Sequence, residues 1–89
     1  MIHLFSRHDV ADYEAWQLLY DRFWRDPDAR GAPIRSVYQS LDDPNDITVV
    51  HAFKHLDDAR AFIASNELAQ TMNDAGVLGK PQIWLTEER

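Results

Sequence analysis

The pattern of hydrophobic and polar positions is centred on residues 47–54, a run rich in β-branched and apolar side chains. Both alternating sets of side chains are mainly apolar, which is typical of a strand covered on both faces. The odd-numbered set is Ile47, Val49, His51 and Phe53, and the even-numbered set is Thr48, Val50, Ala52 and Lys54. His51 therefore lies in the middle of an otherwise apolar strand, and its surroundings decide what it can do.

Three further segments alternate with a period of two and are predicted strands, namely residues 2–8, 34–41 and 82–86. The turn-forming residues 42–46 join the second of these to the strand at 47–54 as a hairpin. Gly76 and Gly79 are expected to end a helical region, and Lys80 and Pro81 then lead into the last strand.

Two segments instead repeat apolar residues every three or four positions, which predicts amphipathic helices. The first begins at Tyr13, where either Asp9 or Asp12 can cap the free amide groups. Pro27 is expected to interrupt this helix, and residues 30–33 are expected to form a stop and a turn.

The second helix opens at residues 56–58 with an aspartate cap and continues through Met72, with a kink or a recapped second segment at Ser65 and Asn66. The element order is therefore β-α-β-β-α-β, the split arrangement of ferredoxin-like α+β domains. In that topology the strands lie in the order 4-1-3-2 with antiparallel neighbours, and both helices cover one face of the sheet.

The helix-facing side of the sheet needs aliphatic partners for the bulky helix residues. Ile2, Leu4, Val37, Val50, Ala52, Ile83 and Leu85 are assigned to that side. The open face then carries an aromatic set with several polar groups: His3, Phe5, Arg7, Ser36, Tyr38, Val49, His51, Phe53, Gln82 and Trp84. Because a single domain of 89 residues can cover only one face by itself, we expect a second copy of the chain to cover the other.

Composition narrows the function classes. The net charge is −6, from 15 acidic and 9 basic residues, which argues against nucleic acid as a partner. The chain has no cysteine, and therefore no disulfide, thiolate nucleophile or cysteine-based metal site. No basic leader followed by a long apolar run is present, and no run reaches membrane-spanning length. We expect a cytoplasmic protein without a membrane partner.

Several motifs stand out along this framework: His8-x-x-x-Asp12-Tyr13-x-x-Trp16, the hairpin Asp42-Asp43-Pro44-Asn45, and Phe53-x-x-Leu56-Asp57-x-Ala59-x-x-Phe62 followed by Ser65-x-Glu67-Leu68. Together they resemble the small dimeric α+β barrel proteins, in particular the antibiotic biosynthesis monooxygenase-like group. The resemblance covers nearly the whole chain.

The resemblance implies that two ferredoxin-like units bring their open sheet faces together as a homodimer. It also implies that each sheet and its helices enclose a cavity for a small aromatic or hydrophobic molecule. Relatives of this kind include cofactor-independent oxygenases, polyketide cyclases, lactone isomerases and haem-degrading enzymes, so the fold alone does not decide the reaction. No haem-ligand motif is present in this sequence, and we expect no cofactor.

His51 is the first candidate for a catalytic residue, because a neutral imidazole can accept a phenolic proton near physiological pH. The structural alternative is a histidine that forms a hydrogen bond at the dimer interface. His3 is expected on the adjacent strand and the same face, so the two imidazoles could hold one substrate oxygen. Two histidines without a third ligand make a poor metal site, and no metal is expected.

Tyr38 and Arg7 complete the candidate catalytic set, Tyr38 to orient a carbonyl or phenol and Arg7 to neutralise an enolate or carboxylate. For Arg7 a salt bridge at the strand end is the structural alternative. Aromatic and apolar neighbours form the candidate substrate-binding set: Phe5, Trp16, Ser36, Val49, Phe53 and Trp84. For Trp84 packing at the interface is the favoured interpretation, and for Trp16 packing in the core is.

Two functions remain open from the sequence. The first is an enzyme, a cofactor-independent monooxygenase, cyclase or isomerase that acts on an aromatic or polyketide-like substrate in a cavity on the open sheet face. The second is a non-catalytic dimer that binds or sequesters a hydrophobic metabolite. The sequence contains no nucleophile elbow, phosphate-binding loop or carboxylate pair to decide between them.

Overall fold

The computed structural model of the chain describes residues 1–25 and 34–89. The elements in this part of the chain are β1 (Ile2–Val10), α1 (Tyr13–Phe23), β2 (Ile34–Gln39), β3 (Asp46–Phe53), α2 (Leu56–Ile63), α3 (Asn66–Asp74) and β4 (Val77–Glu87). The strands form one antiparallel sheet in the order β2-β3-β1-β4, which is the predicted order read from the other edge. The ferredoxin-like α+β fold is therefore confirmed. The expectations for Pro27 and for residues 30–33 lie outside the described residues.

The last strand is longer than predicted because it begins directly after α3. Gly76 has a φ of 79°, a left-handed conformation that glycine adopts without strain, and the chain turns there into β4. Beyond a register shift between Arg7 and Asp9, β4 continues to pair with the end of β1. Pro81 is tolerated inside this strand because β4 lies at the edge of the sheet.

The helix starts are explained by local hydrogen bonds. Asp12 caps α1 by accepting from the amide of Glu14, and the Ser65 hydroxyl caps α3 by accepting from the amide of Leu68 at 3.2 Å. The recapped segment predicted at Ser65 is thus confirmed. The aspartate cap predicted for α2 is wrong, because α2 begins after His55, whose side chain forms no capping hydrogen bond. Asp57 and Asp58 instead lie in its first turn, where carboxylates favour the positive end of the helix dipole.

The register between β1 and β3 decides which side chains face the helices. Leu4 lies opposite His51, and Ser6 lies opposite Val49. Residues directly opposite each other share a face of the sheet, and Leu4 and Ser6 are buried under the helices. The odd-numbered side chains of β3 therefore point toward the helices as well. The assignment of Val49, His51 and Phe53 to the open face is wrong.

The physical reason for this error is that both sets of β3 side chains are mainly apolar. A period of two identifies the strand but cannot orient it when neither face is polar. Val50 and Ala52, assigned to the helix side, lie on the open face instead. The assignments of Leu4, Val37 and Ile83 to the helix side are correct. Leu4 lies opposite His51, Val37 lies opposite Val49, and Ile83 lies opposite Ser6.

The hydrophobic core lies between this face and the helices. Leu4, Ile47 and Phe53 are at most 1% exposed. Ala59 and Phe62 of α2 and Trp16 and Phe23 of α1 are buried against the sheet, as their helical spacing predicts. Ile63 of α2 is exposed, and Trp24 is buried although it follows the last residue of α1.

Within the described part of the chain, none of the helices is both long enough and apolar enough to cross a membrane.

Candidate ligand-binding site

A small cavity of about 40 Å³ lies between the sheet and the helices. Strands β1, β3 and β4 form its floor, and side chains of all the helices form its walls. Its lining is mostly aromatic and aliphatic. The polar side chains that border it are Ser6, His8, Tyr20, His51 and Thr71. A few polar groups in an apolar pocket are typical of small-molecule sites, where they fix the orientation of a ligand.

His51 is held in an aromatic box inside this cavity. The indole of Trp24 stacks on its imidazole at 4.3 Å between ring centroids, and the ring of Phe62 lies 5.3 Å away. Its Nε2 lies 3.2 Å from the hydroxyl oxygen of Tyr20. Tyr20 is in turn stacked on Trp16 at 4.6 Å, one helical turn earlier in α1. The helix thus places the hydroxyl over β3.

The protonation of this pair follows from its burial. His51 is 3% exposed, and burial, together with the positive charge of Arg35, lowers its pKa from 6.5 to about 3. Burial also raises the pKa of the Tyr20 hydroxyl. Both groups are therefore neutral near pH 7. We infer that the Tyr20 hydroxyl donates to the Nε2 lone pair, which places the ring proton of His51 on Nδ1.

The Nδ1 atom of His51 is buried and forms no hydrogen bond within residues 1–25 and 34–89. A buried donor without a partner costs about 1–3 kcal/mol. A ligand oxygen that accepted from Nδ1 would remove that cost. The site is therefore arranged to donate a hydrogen bond from His51.

Arg35 supplies the positive charge next to this pair. It lies opposite His51 in the β2–β3 register, and its guanidinium carbon is 5.1 Å from the centre of the Tyr20 ring. Its Nη2 donates to Asp21 at 3.5 Å, a long contact at the exposed rim. The charge of Arg35 adds to burial in lowering the pKa of His51 and partly opposes the rise that burial causes in the pKa of Tyr20, and it would favour an anionic ligand.

Ser6 and His8 form a second polar pair further along β1. The Ser6 hydroxyl oxygen lies 3.2 Å from Nδ1 of His8, and each of these residues is 8% exposed. His8 also contacts Trp16, with the ring centroids 5.7 Å apart. Burial lowers the pKa of His8, although Asp9 and Asp46 oppose this effect. His8 is buried on the helix side of the sheet because β1 extends to Val10.

Of the predicted catalytic residues, only His51 borders the cavity. His3 lies opposite Ala52 on the open face, so the structure does not bring it together with His51. Tyr38 is on the open face at the exposed edge strand β2. Arg7 binds Asp46 through two hydrogen bonds of 3.1 and 2.7 Å, which is the salt-bridge alternative.

The predicted substrate-binding residues divide in the same way. Trp16 and Val49 line the cavity, whereas Phe53 is buried in the core beside it. The remaining three lie on the open face: Phe5, Ser36 and Trp84. There the rings of Phe5 and Trp84 stack at 5.6 Å with an angle of 6° between their planes.

Sequence reasoning missed Tyr20, Arg35, Trp24 and His8 as site residues. The one signal for Arg35 was its position two residues from Val37, which places both side chains on the helix side of β2. Nothing in the periodicity of α1 marks Trp24, which lies beyond its regular turns. Residues 1–25 and 34–89 contain no group of three or more His, Cys, Asp or Glu side chains that could hold a metal ion.

No protein-family model matches the sequence, and a comparison with curated proteins finds no match. Solved structures, in contrast, are similar over the whole chain. An antibiotic biosynthesis monooxygenase superposes with a TM-score of 0.77 at 8% identity, covering 100% of this chain and 99% of the other. SnoaB, a cofactor-independent oxygenase from Streptomyces nogalater, superposes with a TM-score of 0.76 at 16% identity, covering 99% and 92%.

A conserved protein from Methanosarcina mazei Go1 is similar to the same extent, with a TM-score of 0.78, 15% identity and coverage of 99% and 92%. At these identities the likeness concerns the fold, and it confirms the predicted resemblance to antibiotic biosynthesis monooxygenase-like structures. The chemistry of this chain has to be argued from its own side chains.

The protonation of His51 predicts how stability depends on pH. Below pH 6.5 the unfolded chain binds a proton at His51 that the folded chain does not bind until about pH 3. The free energy of unfolding therefore falls as the pH drops through this window, by roughly 4 to 5 kcal/mol for this group. Urea unfolding between these pH values should show a shallower dependence for His51→Phe than for the parent protein.

His55→Gln is the matched control, because His55 is exposed at the start of α2. It should keep the pH dependence of the parent. The Arg7 hydrogen bond holds the pKa of Asp46 below its usual range, so some acid sensitivity remains in every variant. Parallel curves for the parent protein and His51→Phe would contradict the assignment of a neutral, buried imidazole.

Proposed function

We propose that the chain is a cofactor-independent monooxygenase that binds an aromatic, polyketide-like substrate between its sheet and its helices. The observation that carries this proposal is the buried Tyr20–His51 pair, which borders an aromatic cavity beside the charge of Arg35 and whose Nδ1 atom is buried without a hydrogen-bond partner in residues 1–25 and 34–89. The fold shared with SnoaB, a cofactor-independent oxygenase, supports the same reaction class.

The role proposed for His51 differs from that of a general base. Transfer of a proton from a phenol of pKa about 10 to an imidazole of pKa about 3 would be uphill by roughly 10 kcal/mol. His51 is better suited to donate a hydrogen bond from Nδ1 to a substrate oxygen. Tyr20 keeps the imidazole in that tautomer, and Arg35 favours the deprotonated form of the substrate.

The reaction then proceeds on the substrate itself. The substrate binds as the anion, which forms when a phenol or enol gives its proton to the buffered solvent outside the site, and this electron-rich anion gives electrons to dioxygen. A new bond forms between a ring carbon and one oxygen atom, and cleavage of the oxygen–oxygen bond converts a CH₂ group and O₂ into a carbonyl group and H₂O. Hydrogen bonds and a fixed cation stabilise the negative charge as it moves, which is a large term in catalysis of this kind.

The size of the cavity has a consequence for substrate entry. An internal volume of about 40 Å³ holds no aromatic ring, since a cavity that binds benzene measures about 150 Å³. The wall contributed by α3 is the part suited to move, because none of the residues in Asn66–Asp74 is buried. Leu68, Thr71 and Met72 of this helix would make room by shifting away from the sheet.

Oxygen uptake tests the reaction and the location of its site. With a panel of hydroxynaphthalenes and anthrones, the parent protein should consume dioxygen and form the oxygenated product. Arg35→Gln and Tyr20→Phe should lower the rate by about 10 to 1,000-fold, because the first removes the cation beside the anion and the second releases the imidazole that donates a hydrogen bond to it. Arg7→Gln is the matched control on the opposite face and should stay within about twofold of the parent rate.

Loss of activity in Arg7→Gln with retention in Arg35→Gln would contradict the proposal and restore the open sheet face as the site. Tight binding of the aromatic compounds without oxygen uptake or any product would favour the alternative, a module that sequesters a hydrophobic metabolite.

We also propose that the open sheet face is covered by a second copy of the chain. Trp84 and Tyr38 are 44% and 58% exposed on this face, and the stacked ring of Phe5 lies beside Trp84. No helix of the described chain packs on this side, so a flat aromatic surface would otherwise remain in contact with water. Association of two such faces would bury it.

Light scattering tests this assembly. The parent protein should have the mass of two chains, and Trp84→Arg should shift it to one chain, because a charge would be placed in the apolar interface. Leu18→Arg is the control, since Leu18 is 67% exposed on α1 and should leave the mass unchanged. A single-chain mass for the parent protein would contradict the dimer.

A further inference from the structure

The polar side chains on the floor of the cavity lie in two places. His51 is on β3, and Ser6 and His8 are on β1. Leu4 is the residue opposite His51, and His8 lies four residues further along the same strand. At about 3.3 Å per residue, the backbone positions of the two histidines are about 13 Å apart along the strands. Between them the floor consists of Val49 and, opposite it, Ser6, whose hydroxyl is engaged with His8.

Both imidazoles have an unsatisfied nitrogen. Nδ1 of His51 and Nε2 of His8 are buried and form no hydrogen bond within the two described ranges. The other nitrogen of each ring is already engaged, with Tyr20 in one case and Ser6 in the other. Each ring is thus oriented by one bond and has one nitrogen left for a ligand, a pattern that fixes the tautomer and the direction of the free group.

We infer that His8 is a second ligand-binding residue, and that with His51 it selects ligands carrying hydrogen-bonding groups at opposite ends of an apolar two-ring body. This inference rests on the proposed function, in which the cavity binds an aromatic molecule. For ring nitrogens spaced like their strand positions, two hydrogen bonds of about 2.8 Å leave about 7 to 8 Å of the 13 Å for the ligand oxygens. This is close to the distance between the oxygens of naphthalene-2,6-diol.

His8 also borders a second space. A polar pocket of about 310 Å³ is lined by His8 together with Arg7, Asp9, Asp46 and Lys80 among others, and Arg7 and Asp46 belong to the open face of the sheet. The imidazole of His8 is buried on the helix side, with its Nε2 out of contact with solvent. A hydrogen-bonding group of the ligand is favoured beside it, because an apolar end would leave the imidazole nitrogen without a partner.

Affinity for three naphthols tests the inference. The probes are naphthalene-2,6-diol, with hydroxyls at opposite ends, naphthalene-2,3-diol, with both at one end, and 2-naphthol, with one. Calorimetric titration of the parent protein should give an affinity for the 2,6-diol at least about 10-fold above that for 2-naphthol, the gain expected from a buried hydrogen bond. The 2,3-diol should gain no more than about the twofold statistical factor of two equivalent ends.

Variants of the protein test whether His8 causes the higher affinity for the 2,6-diol. In His8→Phe, which keeps an aromatic ring and removes the nitrogens, the ratio between the 2,6-diol and 2-naphthol should fall to about two. Ser6→Ala is a milder second variant and should lower the ratio by releasing the orientation of His8. His55→Gln, at an exposed position, should keep the ratio of the parent.

The outcomes separate the inference from the proposed function. Binding of all three naphthols with similar affinity to the parent protein would overturn the inference and leave the aromatic site intact. A ratio that persists in His8→Phe would overturn the role of His8. If His8→Phe does not fold, the comparison of ligands on the parent protein and on Ser6→Ala still decides. Absence of binding by any of the naphthols would overturn the aromatic site and the inference together.

Discussion

The site depends on the pairing register of the two central strands. Because Leu4 lies opposite His51, the imidazole points into the space under the helices. A shift of one residue would move every side chain of β3 to the other face and would place His51 beside His3. The hydrogen bond to Tyr20, the stacking on Trp24 and the nearby charge of Arg35 all follow from this one register.

Burial then determines what the polar groups can do. In water an imidazole exchanges protons near neutral pH, but the aromatic box lowers the pKa of His51 to about 3 and so removes it as an effective base. The same environment strengthens hydrogen bonds and the field of a nearby cation, because little water is present to screen them. The chemistry proposed for the chain therefore relies on donated hydrogen bonds and on Arg35 rather than on proton transfer to the protein.

The two faces of the sheet have separate proposed roles. The helix side carries the cavity and its polar pairs, while the open side carries the stacked Phe5 and Trp84 and the Arg7–Asp46 ion pair. In the proposed dimer the open side holds two chains together and takes no part in the reaction. Residues on the open face would then affect catalysis only through assembly.

The element order, the strand order and most of the helix stripes could be predicted from the sequence because periodicity is a local property. The face of β3 could not, since both of its side-chain sets are apolar and only pairing with β1 distinguishes them. His51 was identified from its unusual position in an apolar strand, whereas its partners Tyr20 and Arg35 come from other elements and no local pattern joins them. The end of β1 was missed because the register shift near Asp9 leaves no trace in the pattern.

The measurement that tests the central claim most directly is the nitrogen NMR spectrum of the His51 imidazole near pH 5. A buried ring bonded to Tyr20 should be neutral there, with its proton on Nδ1 and Nε2 accepting a hydrogen bond. A ring that is mostly protonated at about this pH, as an exposed histidine would be, would contradict the account. It would show that His51 is accessible to water, and the site would have to be placed elsewhere.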